Sequence, residues 1–290
     1  MGEFLAIACA AIWALAVILF KRSGETLPAF ELNLFKNLVG VLLLVPTALL
    51  FEGAAWPAFS TREWALVLLS GVIGIAVADT WYLRALNLIG AARTGVAASL
   101  YSPFVVLLSI ALLGEVLAAR QWLGFALVIA GIVLVNWRDR RIEVSLRALR
   151  LGLFHAIGGV LMMAVGIVMV VPLLAGEHFF TIAALRLTAG STAMLVFLGA
   201  TGTTGQALAR FRQPQPWPTV ILASVLGSYV AMLAWLGGYR LAPAAVASVL
   251  NETASAFIVL FAWLMLGEPV SARRGVGVLV TFSGVALMVV

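Results

Sequence analysis

Most of the stretch "VASVLNETASAFIVLFAWLMLGEP" would suit hydrocarbon, yet Asn251 and Glu252 interrupt it. A carboxylate in such a setting binds a cation or a proton, pairs with another side chain, or meets a wet cavity, because an uncompensated charge there is costly. Ser248, Glu252 and Ser255 stand at i−4, i and i+3 and share one helical face. Asn251 points about 100° away, where it can donate and accept at a cavity edge. A position about nine residues into a span puts Glu252 roughly 13 Å along the axis, near mid-membrane. The segment "ELNLFKNLVG" carries a second polar stripe, Asn33, Lys36 and Asn37, at i, i+3 and i+4. Lys36 attracts a carboxylate there, or snorkels to headgroups, while the two asparagines orient a polar substrate. Arg186 occupies the equivalent place later in the chain. In "ADTWYLRA", Asp79 and Tyr82 share a face. Asp79 can bind an amine, relay a proton with Glu252, or make a structural salt bridge. Trp13, Tyr101, Tyr229, Trp235 and Tyr239 suit either a cavity lining or the membrane interface.

These residues need helices to hold them, and the composition says which kind. The 290-residue chain is 63% hydrophobic and 10% charged, with a mean hydropathy of +1.13. Soluble chains carry about 25% charged residues, so this is an integral membrane protein. The net charge of +6 comes with no basic tract interleaved with aromatics, which argues against nucleic acid and for contact with anionic lipid headgroups. Cys9 is the single cysteine, and His155 and His178 are the only histidines, so neither a disulfide framework nor a metal site is expected. No cofactor is expected either. A span needs about 20 apolar residues. Ten spans are expected, at 3–20, 30–50, 64–83, 92–113, 120–137, 151–172, 179–199, 218–237, 243–266 and 272–290.

The basic stretch 138–150 divides the chain into 1–137 and 151–290, and the halves echo each other. A shift of 153 residues matches Gly74 with Gly227, Ser102 with Ser255, Gly114 with Gly267, Glu115 with Glu268, Gly124 with Gly277 and Gly131 with Gly284. A shift of 150 matches Lys36 with Arg186 and Gly40 with Gly190. Five helices per copy start the second copy on the opposite side of the membrane. The expected fold is therefore an all-α polytopic membrane protein of ten transmembrane helices in two inverted five-helix repeats, a known route to alternating access. Gly114–Glu115 and Gly267–Glu268 end apolar runs, and their carboxylates are expected to cap the helix that follows, as hinges. Lys21, Arg22, Arg84, Arg93, Arg138, Arg140, Arg141, Arg147, Arg150, Arg210, Arg212, Arg273 and Arg274 fall on one side; Arg62, Arg120 and Arg240 fall on the other. The positive-inside rule puts the first group in the cytoplasm and both termini outside.

At "SLYSPFVVLLSIALLGEVLAARQWLGFALVIAGIVLV" and "SVLNETASAFIVLFAWLMLGEPVSARRGVGVLVTFSGVALMV" the chain resembles the EamA group of the drug/metabolite transporter superfamily. Pro103 keeps the family's mid-helix proline, whereas Ala256 replaces it in the second copy. The resemblance implies a bacterial-type inner-membrane location, a cavity between the halves and, against the charge count, cytoplasmic termini. The reading that follows is secondary transport, as export, of a small polar or zwitterionic metabolite, with amino acids as the leading class. The substrate carboxylate would meet Lys36 or Asn37 and its ammonium Glu252 or Asp79. Proton coupling through Glu252 or Asp79, exchange and downhill transport all stay open. A lipid flippase and a non-transporting membrane scaffold are the alternatives; no nucleophile–base or metal signature points to an enzyme.

Overall fold

In hydrocarbon a backbone amide finds no water, so a chain this apolar must satisfy its N–H and C=O groups along its own helices. A computed structural model of the protein describes residues 1–23, 27–54, 57–136, 145–176, 178–266 and 271–289; within these it is helical, with no strand. Gly267 and Glu268 lie outside the described residues.

The first half runs through α1 (Gly2–Ser23), α2 (Ala29–Glu52), α3 (Thr61–Gly71), a π-helical segment Val72–Val77, α4 (Ala78–Ala98), α5 (Tyr101–Leu113) and α6 (Ala119–Asn136). The second runs through α7 (Leu146–Val168), the single turn α8 (Val171–Leu174), α9 (Phe179–Ala200) and α10 (Thr204–Phe211). It continues with α11 (Trp217–Val225), a π-helical segment Leu226–Val230, α12 (Ala231–Leu241), α13 (Ala244–Asn251), α14 (Ala254–Leu266) and α15 (Ala272–Val289). Among the described residues, eight helical stretches are long and apolar enough to cross a membrane, and Tyr101–Leu113 and Ala119–Val135 are shorter apolar helices.

Two departures from the expected spans have local causes. Residues 84–91, expected to be a loop, are helical within α4. In the second half the equivalent stretch breaks at Ala242, before Pro243, which cannot continue a helix; the 153-residue shift puts Gly90 at that place in the first half. The expected span 243–266 is not continuous but breaks at Glu252 and Thr253. There the bonds tighten to three-residue spacing: the Glu252 amide donates to the Val249 carbonyl at 3.2 Å, and the Thr253 amide to Leu250 at 3.1 Å. Glu252 therefore sits at a helix end rather than mid-helix. The first half breaks at the equivalent Ser99–Leu100.

The halves pack reciprocally. A Cβ on Gly124 would come within 2.8 Å of the Gly284 carbonyl oxygen, and one on Gly277 within 2.9 Å of the Gly131 carbonyl oxygen. These two pairs exchange under the sequence repeat, and their order makes α6 and α15 antiparallel. Phe30 meets Phe197 at 5.7 Å and Phe51 meets Phe180 at 5.2 Å, so α2 and α9 are antiparallel too. Gly74 in the first π segment lies against Gly166 of α7, and Gly227 in the second lies against Trp13 and Ala16 of α1. Each π segment thus packs on the opening helix of the other half. Small residues allow this approach where lipid offers no hydrophobic drive for helices to associate.

Candidate functional site

The stripe on α2 is tied to α4, the first π segment and α9. Lys36 donates to the Asn37 Oδ1 and to the Asp79 Oδ2, each at 3.1 Å. Asn37 donates to the Asn33 Oδ1 at 3.1 Å, and both asparagines are fully buried beside the Met194 sulfur. The Asn33 Nδ2 also reaches the Ile75 carbonyl, inside the π segment, at 3.5 Å. The excess residue of a π turn leaves carbonyls misaligned for the helix ladder, and such turns recur at functional sites. Asp79 opens α4, and Tyr82 one turn later lies within electrostatic reach of both Asp79 and Glu252.

The second half holds a different arrangement. Arg186 on α9 is 2% exposed, yet its Nε and Nη1 have no hydrogen-bond partner. Its guanidinium lies 5.6 Å over the Trp235 ring, and Trp235 packs edge-on against Tyr239 at 5.5 Å. Tyr239 from α12 and Tyr101 from α5 join their hydroxyls at 2.7 Å, which binds the two halves through buried polar atoms. Tyr101 is within electrostatic reach of both Arg186 and Glu252. Glu252 accepts the Ser102 amide at 3.3 Å from the first half, and both polar atoms of the Asn251 amide are buried without a partner. A chain of contacts therefore runs from the Arg186 guanidinium through Trp235, Tyr239 and Tyr101 to Ser102 and Glu252, across α9, α12, α5 and the end of α13.

Other expected residues lie elsewhere. Trp13 is 36% exposed and packs on Gly227. The Tyr229 hydroxyl pairs with Thr47 at 2.9 Å, tying α2 to the second π segment. Ser255 is part-buried, its amide donating to the Glu252 carbonyl at 3.2 Å. Pro103 stands in the first turn of α5, where its missing N–H has no helical acceptor to satisfy. Gly114 ends α5 in the left-handed region at φ 68, and beyond it Glu115 departs from expectation. Instead of capping α6, its carboxylate accepts the Ala244 and Ala245 amides at 2.6 and 2.8 Å, at the start of α13 in the other half. The left-handed turn aims it sideways, while Gln121 serves α6 by accepting the Ala118 amide at 2.9 Å. Sequence reasoning missed Glu52, which accepts the Phe180 and Thr181 amides at 2.7 and 2.8 Å at the start of α9. Its signal was present, since "LLFE" ends an apolar run as "LLGE" does. The Glu31–Arg210 ion pair was missed as well. It borders a cleft of about 300 Å³ that is also lined by Pro28, Thr80, Arg84 and Thr203.

Membrane-length helices, two reciprocally packed halves and buried charge between them define a polytopic helical membrane protein with a polar interior. The chain belongs to the EamA-like transporter family, whose model matches residues 1–137 and 150–290. It is 29% identical to the pseudopaline exporter CntI of Pseudomonas aeruginosa strain UCBPP-PA14 over 136 residues, 47% of this chain and 46% of that protein. The match thus spans about half the length of that relative. An uncharacterized transporter in the cobO 3′ region of a Sinorhizobium species is 30% identical over 138 residues, 46% of this chain and 94% of that protein. A solved crystal structure with 18% sequence identity superposes with a TM-score of 0.79 over 100% of this chain and 98% of its own, and so shares the fold. The family and these named relatives are transporters, not enzymes.

Proposed function

We propose that the protein exports a small polar metabolite of the amino-acid class across a bacterial inner membrane, by alternating access between two inverted repeats of five crossings each. One observation carries this reading: polar and ionisable groups converge on the boundary between the halves, at a break in α13–α14. Buried charge is costly, and in membrane proteins it marks substrate and ion paths. Broken helices beside a repeat boundary are the form such sites take in secondary transporters. Antiparallel pairing of α2 with α9 and α6 with α15 supports inverted repeats, and α5 and α6 supply the ninth and tenth crossings by shortness compensated with local thinning. Similarity to a pseudopaline exporter supports a small-metabolite cargo and the outward direction.

The test is reconstitution in proteoliposomes with a labelled amino-acid panel and an internal pH dye. Saturable flux that Glu252→Gln abolishes is the expected result. Flux without acidification would assign exchange or facilitation, whereas the absence of saturable flux for every panel member would overturn the amino-acid reading.

A further inference from the structure

The two halves are not equivalent where they carry their cations. In the first half Lys36 is neutralised by Asp79 and steadied by Asn37 and Asn33. The repeat shifts of 150 and 153 residues convert those partners, in the second half, to Ala183 for Asn33, Leu187 for Asn37 and Met232 for Asp79. Arg186, the counterpart of Lys36, thus keeps its charge and loses both polar partners, together with the asparagine that braces one of them. Met232 is part-buried in the core one turn before Trp235, the ring beneath the guanidinium. Among the described residues no carboxylate makes an ion pair with Arg186.

We infer that the carboxylate of the transported molecule fills the place that Asp79 fills in the first half, by bonding the edge of the Arg186 guanidinium that carries its unpartnered Nε, and that Arg186 restricts the cargo to carboxylates. The inference deepens the transport reading and rests on it. The Nε–H and the Nη2–H share one edge of the guanidinium and form the side-on fork that matches the two oxygens of a carboxylate, while the unpartnered Nη1 faces the opposite edge. The Trp235 ring lies 5.6 Å beneath the guanidinium, and an aromatic face tolerates a cation without neutralising it. The Tyr101–Tyr239 pair links the surroundings of Arg186 to Ser102, whose amide Glu252 accepts, so Glu252 is the counterpart assigned to a cargo amine while its carboxylate stays on Arg186. The charge signs match an α-amino acid or a longer amino-carboxylate, and exclude a simple amine as preferred cargo.

Two measurements test this on the full chain in nanodiscs. In the first, thermal unfolding is followed with the pooled twenty L-amino acids and with the pooled amino-acid amides, which keep the amine and lack the carboxylate. Wild type should be stabilised by the acids and not by the amides. Arg186→Gln should lose roughly tenfold to a hundredfold in apparent affinity for the acids, the value of a charge-assisted bond. The second needs no cargo. Met232→Asp restores the missing partner within the protein and should raise Tm in the empty state, while abolishing stabilisation by the acids because the site is then self-occupied. Equal stabilisation by acids and amides, or undiminished stabilisation by the acids in Arg186→Gln, overturns the inference. So does a Met232→Asp protein that loses Tm and still responds to the acids. Flux of amines through a wild type indifferent to carboxylates would sink the role of Arg186 and leave the transport reading standing.

Discussion

At the scale of single residues, one kind of charge has two fates in the repeat. Lys36 and Asp79 are paired at 3.1 Å with side chains 12% and 22% exposed, so each neutralises the other in a setting with little water. Removing one partner strands the other, which costs more than the pair itself contributes. Lys36→Met and Asp79→Asn are each expected to lower Tm. The double substitution should recover most of the loss, with a coupling of about 0.5–3 kcal/mol in a double-mutant cycle followed by thermal unfolding. Additive losses would mean that the two side chains act separately. The polar positions themselves were legible, because an asparagine or a carboxylate in an apolar run has few innocent explanations. Their pairing was not. Nothing in "ELNLFKNLVG" says that Lys36 is consumed by Asp79, 43 residues away, nor that Arg186 pairs with no acid among the described residues, until the repeat is laid over the contacts.

At the scale of elements, glycine spacing carried much of the fold. The matched pairs Gly124–Gly277 and Gly131–Gly284 announce a duplication, and the packing shows them as the seam between α6 and α15. A Cβ on Gly131 would come 2.7 Å from the Gly277 carbonyl oxygen and 2.6 Å from the Thr281 amide nitrogen, both backbone atoms that cannot rotate away. Gly275, on the same α15, has nothing within 4 Å of its added Cβ. Gly131→Ala is therefore expected to cost roughly 1–3 kcal/mol by forcing the helices apart. Gly275→Ala should be neutral or stabilising by up to about 1 kcal/mol through helix propensity. Unfolding in mixed micelles, read by circular dichroism, separates the two, and equal effects would remove the close-approach account. The matched π segments were not legible. Their hydrogen bonds span one residue more than those of an α-helix, and "VIGIAV" and "LGSYV" show no repeating polar stripe that would reveal it. The break at Glu252 was equally hidden, because Ala256 stands where a proline would have marked it.

At the scale of the whole molecule, the two ends of the bundle are fastened differently. At one end Glu52 grips the first amides of α9 and Glu115 those of α13, with four bonds of 2.6–2.8 Å, each crossing from the first half to the second. Arg240 joins the two grips: it closes α12 beside α13, donates to the Gly176 carbonyl at 3.2 Å and lies 5.3 Å over the Phe179 ring. At the other end the described charged link between the halves is the Glu31–Arg210 pair, beside the cleft of about 300 Å³. Carboxylate-to-amide bonds at a helix N-terminus gain from both charge assistance and the helix dipole, so the first end is the tighter one. If the halves rock against each other, that end opens only when both carboxylates let go. Glu52→Gln with Glu115→Gln keeps size and one acceptor but removes the charge, and should shift the population toward opening there. Spin labels at Ala54→Cys and Leu241→Cys, in a Cys9→Ala background, report on that end; labels at Pro28→Cys and Gly205→Cys report on the other. The double glutamine variant is expected to add a longer-distance population to the first pair and none to the second. An unchanged first pair would show that the carboxylates merely cap helices. Lengthening at both ends would show that they hold the halves together rather than gate one end, a distinction that turns on distances alone and needs no knowledge of the cargo.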